Sequence, residues 1–141
     1  MLKKAKEKGE FSNVKMYPIG MGDKALEELV PHQGFDAIVC TLVLCTVPNL
    51  EKTIEDFKRF LAPTGKLIIM EHIHAKENPK AMFQNIINPL WKQIGDGCNL
   101  NRKTDEKLKQ KGFKPIKDTY FKHAKLDFYQ GVFIFDNQNK K

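Results

Sequence analysis

The sequence predicts an α/β domain, on three observations. The run Phe35-Asp36-Ala37-Ile38-Val39-Cys40 is apolar and β-rich after Asp36 and lacks polar alternation, and Gly65 to Ile73, with Leu67, Ile68, Ile69 and Met70, reads the same way. Continuous apolar runs of this kind suit strands covered on both faces, as in parallel sheets. Between them, Asn49 offers an N-cap to a helix whose Leu50, Ile54, Phe57 and Leu61 share one face, and Pro63-Thr64-Gly65 ends it. Strand, helix and strand with connections this short form a βαβ unit.

The remaining elements are assigned in chain order. Met1 to Gly9 reads as the tail of a polar helix stopped by Gly9, so the chain begins in mid-element. Val14 to Ile19 alternates loosely and is expected to be a short strand, followed by the turn Gly20-Met21-Gly22-Asp23 and a short helix from Lys24 to Val30. His32-Gln33-Gly34 signals the turn into the first apolar strand. Lys80 to Ile94 carries a broad apolar stripe (Met82, Phe83, Ile86, Ile87, Leu90, Trp91, Ile94), best explained by core or docking packing, and Pro89 predicts a kink or two short helices. Asn101 to Lys111 reads as a polar helix ended by Gly112. Phe113 to Phe121 and Tyr129 to Asp136 are expected as closing strands with a longer connection, and Asn137 to Lys141 as a frayed tail.

Composition narrows the class. At 141 residues, with 41% hydrophobic and 29% charged residues, the chain fits one soluble domain with one core. The net charge of +7 is spread over lysines interleaved with acids, and Arg59 and Arg102 are the only arginines, which points to a solvated surface rather than a nucleic-acid footprint. Cys40, Cys45 and Cys98 are an odd number without C-x-x-C spacing, which argues against a disulfide framework and against a zinc site, and favours a reducing, cytoplasmic setting. The longest apolar run, Ala37 to Val47, is too short for the ~20 residues that span a bilayer.

In open α/β sheets, ligands bind beyond the carboxyl ends of the strands. The motifs stand there: Phe35-Asp36-Ala37-Ile38-Val39-Cys40-Thr41-Leu42-Val43-Leu44-Cys45-Thr46-Val47-Pro48, then Leu61-Ala62-Pro63-Thr64-Gly65-Lys66-Leu67, Met70-Glu71-His72, and Asp96-Gly97-Cys98-Asn99-Leu100-Asn101-Arg102. From about Val14 to Phe135 the chain resembles the class I S-adenosylmethionine-dependent methyltransferases. It is most similar to their thiol S-methyltransferase branch, with Thr64 standing for the first glycine of the family's L-x-P-G-G.

The resemblance implies a Rossmann-like sheet of order 3-2-1-4-5-7-6. It also implies that this chain is a single partial domain over residues 1–141, the C-terminal two thirds, without the first two strands and the glycine-rich donor loop. The Phe35 to Cys40 strand is then expected to have an unpaired edge, open to self-association or to a rearranged pairing with Val14 to Ile19. S-adenosylmethionine is the implied cofactor, with a small-molecule acceptor, a thiol at branch level, and no metal.

By the same resemblance Gly22 and Asp23 lie near the adenine, Thr41 and Leu42 line the donor pocket, and Glu71 and His72 face the acceptor as catalytic residues. Each keeps a plainer alternative: a turn with Asp23 as helix cap, and Glu71 with His72 as a hydrogen-bonded structural pair. Val39 and Val43 are expected in the core, Cys45 as an inert buried thiol, Asp96 to Arg102 as a structured loop, and His74 and His123 at the surface. The rival function is a non-catalytic binding or assembly protein that keeps the fold and pairs through its sheet edge.

Overall fold

In the computed structural model, which describes residues 7, 9 and 12–135, eight elements follow one another. They are α1 (Lys24–Glu27), β1 (Phe35–Thr41), α2 (Leu50–Phe60), β2 (Leu61–Ile73), α3 (Asn78–Ile94), α4 (Thr104–Gln110), β3 (Phe113–His123) and β4 (Leu126–Phe135). The strands form one mixed sheet of order β1-β2-β4-β3, with β1 and β2 parallel and the other neighbours antiparallel. This is the 4-5-7-6 half of the expected order, so the βαβ unit and the α/β class are as the sequence predicts.

Asn49 caps α2 as expected, its side-chain oxygen accepting from the Lys52 amide at 2.9 Å. Ile54 and Phe57 of α2, at helical spacing, are buried against Cys40 of β1, Leu67, Ile69 and Ile73 of β2, and Tyr129 and Phe133 of β4. Leu108 of α4 and Phe113 of β3 complete this core. It lies on one face of the sheet. Helix α2 stops at Phe60, earlier than Pro63-Thr64-Gly65 suggests, because Leu61 already pairs with Phe35. The next paired residues, Ala37 and Lys66, leave Ala62 to Gly65 as an irregular stretch of β2. Pro63, which has no amide to donate, sits where no ladder bond is needed.

Several expectations are corrected. Residues 14–20 form no strand; Val14 and Tyr17 are exposed, and Pro18 removes a donor from a run that has no neighbour to pair with among the described residues. The first helix is one turn, not the span to Val30. Helix α3 runs unbroken through Pro89. Helix α4 starts at Thr104 rather than Asn101, because Asn101 to Lys103 belong to the preceding loop. Strands β3 and β4 are joined by two residues only, Ala124 and Lys125, both with left-handed backbone at φ 47° and 65°. That turn conformation favours Gly and Asn, so its sequence carried no signal. The expected helix over Met1 to Gly9 and the tail Asn137 to Lys141 lie outside the described residues, apart from Glu7 and Gly9.

Most of the apolar stripe of α3 also faces away from its expected place, with Ile87 and Trp91 half-buried. Met82, Phe83, Ile86, Leu90 and Ile94 are all exposed, and Gln84 is the buried residue. Polar groups hold the helix to the body instead. The Ala75 amide donates to Gln84 Oε1 at 2.7 Å, the Leu100 amide to Asn88 Oδ1 at 2.8 Å, and Lys80 pairs with Asp127 at 2.7 Å.

Strand β1 is a sheet edge among the described residues. Its outward-facing Val39 is 66% exposed and Val43 beyond it is exposed as well, so neither joins the core; among the described residues no helix covers Val39. That face bears a groove of about 230 Å³ lined by Val39, Thr41, Ile68, Met70, Gln130 and Val132, among others. An uncovered apolar edge is a template for pairing with another chain. Replacing Val39 with lysine is expected to change stability by no more than about 0.5 kcal/mol and to suppress concentration-dependent association in sedimentation velocity. Association unaltered by V39K would place the contact elsewhere.

Candidate active site

The parallel strands β1 and β2 end side by side, and their ends carry the motifs. Past Thr41 the chain turns sharply at Leu42, which adopts φ 55°, a left-handed conformation costly for a residue with a side chain, while its amide donates to the Met70 carbonyl at 2.9 Å. Such local strain persists only where the surroundings over-determine it. Here the surroundings are Glu71. Its carboxylate, fully buried, accepts the Val43 and Leu44 amides on Oε1 at 2.8 and 3.0 Å and the Cys45 amide on Oε2 at 3.3 Å. Burial pushes the Glu71 carboxyl above its ordinary range, and the donating amides of Leu44, Val43 and Cys45 pull it back.

A second loop docks on the first. After α3, Asp96 and Gly97 turn with positive φ, and the chain then runs back across residues 44–45. The Asn99 amide and its side-chain nitrogen both donate to the Cys45 carbonyl at 2.9 Å, and Arg102 Nη1 donates to the Leu44 carbonyl at 2.6 Å. The Arg102 carbonyl in turn accepts the His74 amide at 2.9 Å. Burial holds the Arg102 guanidinium below its usual value, opposed by Cys45, Cys98 and Glu71 around it.

His72 closes the cluster. It is buried, its ring meets Phe128 edge-on at 6.4 Å, and its Nε2 stands 2.7 Å from Cys98 Sγ. Burial lowers the affinity of the imidazole for a proton, so it is neutral near pH 7. Cys45 Sγ approaches the Leu42 carbonyl at 3.6 Å, and its thiol is pushed well up, first by burial and then by Glu71 and Cys98. Donor atoms of Cys45, His72 and Cys98 lie within 4.8 Å of one another.

The residues singled out in the sequence separate into groups. Glu71 and His72 are adjacent in β2 but serve different neighbours, the 43–45 amides and the Cys98 thiol respectively. Thr41 and Leu42 are exposed at the strand end. Gly22, at φ 90°, would place an added methyl near nothing but Lys52 Nζ at 3.9 Å, so the turn stands open beside the start of α2. Asp23 caps α1 through the Ala25 amide at 3.0 Å, its plainer role, with its second carboxylate oxygen left over. His123 is exposed, whereas His74 is half-buried with Nε2 3.2 Å from the Ala81 carbonyl. What sequence reasoning missed is that Cys98, Asn99 and Arg102 converge on Cys45 and His72. The Asp96-Gly97 turn signal identified the loop and not its destination.

Thiol reactivity checks this arrangement. Cys40 lies under α2 at 7% exposure, and burial followed by the Glu71 charge pushes its thiol up to about 12. In chelator-treated native protein at pH 8, iodoacetamide is expected to modify the half-exposed Cys98 first and to leave Cys40 and Cys45 unreacted until unfolding, as peptide mass mapping would read. Cys40 reacting as fast as Cys98 would contradict the burial.

Comparison with known proteins places the chain in a family. A family profile described as a methyltransferase domain matches residues 1–125. Thiol S-methyltransferase TMT1B of Homo sapiens is 41% identical over 84 residues, 59% of this chain and 34% of the human protein, and Thiol S-methyltransferase TMT1A of Homo sapiens is 39% identical over 83 residues, 58% and 34% of the two chains. The chain thus matches about a third of the length of these curated relatives. Among solved structures, the trans-methyltransferase CalH in complex with SAH superposes with a TM-score of 0.61 at 19% identity, covering 94% of this chain and 39% of CalH, and shares the fold. With most of its length matched by the profile, the chain belongs to the methyltransferase domain family.

Proposed function

We propose that this chain forms the acceptor side and part of the donor side of an S-adenosylmethionine-dependent methyl-transfer site, with a small thiol as acceptor. The carrying observation is the Glu71 clamp, which holds Leu42 to Cys45 in one strained geometry at the carboxyl end of β1. The thiol acceptor is favoured by the TMT1A and TMT1B relatives.

The residues present fit a donor in part. Gly22 leaves open space where a side chain would stand, and Thr41 and Leu42 are exposed at the strand end. The sequence contains no G-x-G-x-G turn. S-adenosylmethionine supplies, when bound, an electrophilic methyl group on a sulfonium. Thr41 and Leu42 would line it and Gly22 with Asp23 would meet its adenine. Glu71 acts as a positioning residue, since its oxygens are taken up by backbone amides and it is fully buried. His72 and Cys98 make the acceptor-side wall, with the neutral imidazole able to hold a proton at Nε2. Such a displacement is governed by alignment of donor and acceptor and by a deprotonated nucleophile.

Isothermal titration of the 141-residue chain with S-adenosylmethionine, and transfer of labelled methyl to a small aliphatic thiol, test the proposal. Because the chain supplies only part of the donor side, weak donor binding and little thiol methylation are expected of it alone, and both are expected to rise when a segment bearing a G-x-G-x-G turn is supplied. A chain that binds no donor even with that segment supplied, and yet associates through β1, would favour the alternative, a non-catalytic assembly protein, for which the exposed Val39 face is the supporting observation.

A further inference from the structure

We infer that Cys45, His72 and Cys98 form a binding site for a single soft divalent cation of the zinc class. Spacing in the sequence argues against such a site, because Cys45 and Cys98 are 53 positions apart and neither sits in a C-x-x-C pair. The fold removes that objection. The Asn99 bonds to the Cys45 carbonyl carry Cys98 across the end of β2, and the three donor atoms gather within 4.8 Å.

Three features favour a cation there. Two sulfurs and one imidazole nitrogen are the donor set of three-ligand zinc centres that keep a fourth position open. Cys45 and His72 are almost fully buried, in rigid positions set by Glu71 and β2, so little ordering is needed on binding. The charges also balance. Two thiolates and the Glu71 carboxylate would oppose the cation and the Arg102 guanidinium, whose Nη1 is bound to the Leu44 carbonyl beside Cys45. A tetrahedral centre needs ligand nitrogen and sulfur about 3.5 Å apart, given Zn–N of about 2.0 Å and Zn–S of about 2.3 Å. The 2.7 Å between His72 Nε2 and Cys98 Sγ must therefore open by under about 1 Å. Cys98, half-buried in the loop after Asp96-Gly97, is the ligand whose side chain can turn to make that movement.

Binding replaces two S–H bonds by two metal–sulfur bonds and releases two protons per ion to the buffer. The test titrates the reduced 141-residue chain with Co²⁺ under argon, independently of any donor or acceptor. One ion per chain is expected, with a thiolate-to-cobalt charge-transfer band, the visible bands of a tetrahedral ion, and about two protons released in weakly buffered indicator dye. Cys45→Ser and Cys98→Ser are expected to lose the charge-transfer intensity and to weaken binding at least about 100-fold, whereas Cys40→Ala retains both. Cys98→His, which exchanges one donor for another, keeps the ion with a weaker sulfur band and guards against a variant that merely misfolds. No thiolate band in the wild-type chain, or a band unchanged in both serine variants, overturns the inference.

Discussion

Replacing Glu71 with alanine is expected to cost about 3 to 5 kcal/mol, a large share of a small domain's stability. The Val43, Leu44 and Cys45 amides each donate to this carboxylate, and it is fully buried, so truncation leaves all of these donors without a partner in a site closed to solvent. A buried unsatisfied donor costs about 1 to 3 kcal/mol, and water entering the emptied space recovers part of the sum. Glutamine keeps the shape but offers one acceptor oxygen and turns an N–H₂ toward a donating amide, which places Glu71→Gln at about 1 to 3 kcal/mol. Urea unfolding reads both, as a fall in midpoint with an unchanged slope. The effect should also be local. With the clamp gone only the bond from the Leu42 amide to the Met70 carbonyl would hold the turn, and exchange of the Val43 to Cys45 amides should rise more than that of the α2 amides. An alanine variant within about 1 kcal/mol of wild type would mean that these amides find other partners, and that the loop is not held as described.

That clamp shows where sequence reasoning stops. The βαβ unit was legible because its signals are local: an apolar run, an Asn cap, a helical stripe and a turn at Gly34. Glu71 was legible as a polar residue at the end of a strand, the place where ligands bind, but not as the group that satisfies amides 26 to 28 positions earlier in the chain. Such bonds depend on which strands lie side by side, and the pairing of β1 with β2 is a tertiary fact. The meeting of Cys98 with His72 fails to show for the same reason. The error over α3 has a different origin. A period of 3.6 reports that a helix has two faces, and says nothing about which one the body takes. Here Gln84 and Asn88 bind main-chain amides of the body and turn Ile86 and Leu90 outward. The error over Val39 is similar, because a two-sided apolar strand is visible in sequence while the occupant of its second face is not.

A second substitution tests the register on which the site depends. Gly34, at φ 83°, closes the turn into β1, its amide donating to the Pro31 carbonyl at 2.8 Å. An alanine methyl there would stand 2.5 Å from the Ala62 nitrogen, 2.7 Å from the Leu61 carbonyl carbon and 2.9 Å from the Ala62 Cα. All three are backbone atoms at the start of β2, so no side-chain rotation relieves the overlap, and either the turn or the irregular stretch at Ala62 to Gly65 must move. The left-handed conformation costs alanine about 1 to 2 kcal/mol and a forced backbone shift about 1 to 3 more, so Gly34→Ala is expected to destabilise by about 3 to 5 kcal/mol. Gly22→Ala separates the two contributions. It has the same sign of φ, at 90°, but only the flexible end of Lys52 nearby, at 3.9 Å. It should show the conformational cost alone, about 1 to 2 kcal/mol, so that the difference between the variants measures the clash. If chemical denaturation finds the two alike, β2 can yield at Ala62 without penalty. The pairing of Phe35 with Leu61 would then not be what brings the ends of β1 and β2 to the same level, and the Leu42 turn would owe its position to Glu71 and to the pairs from Ala37 to Thr41.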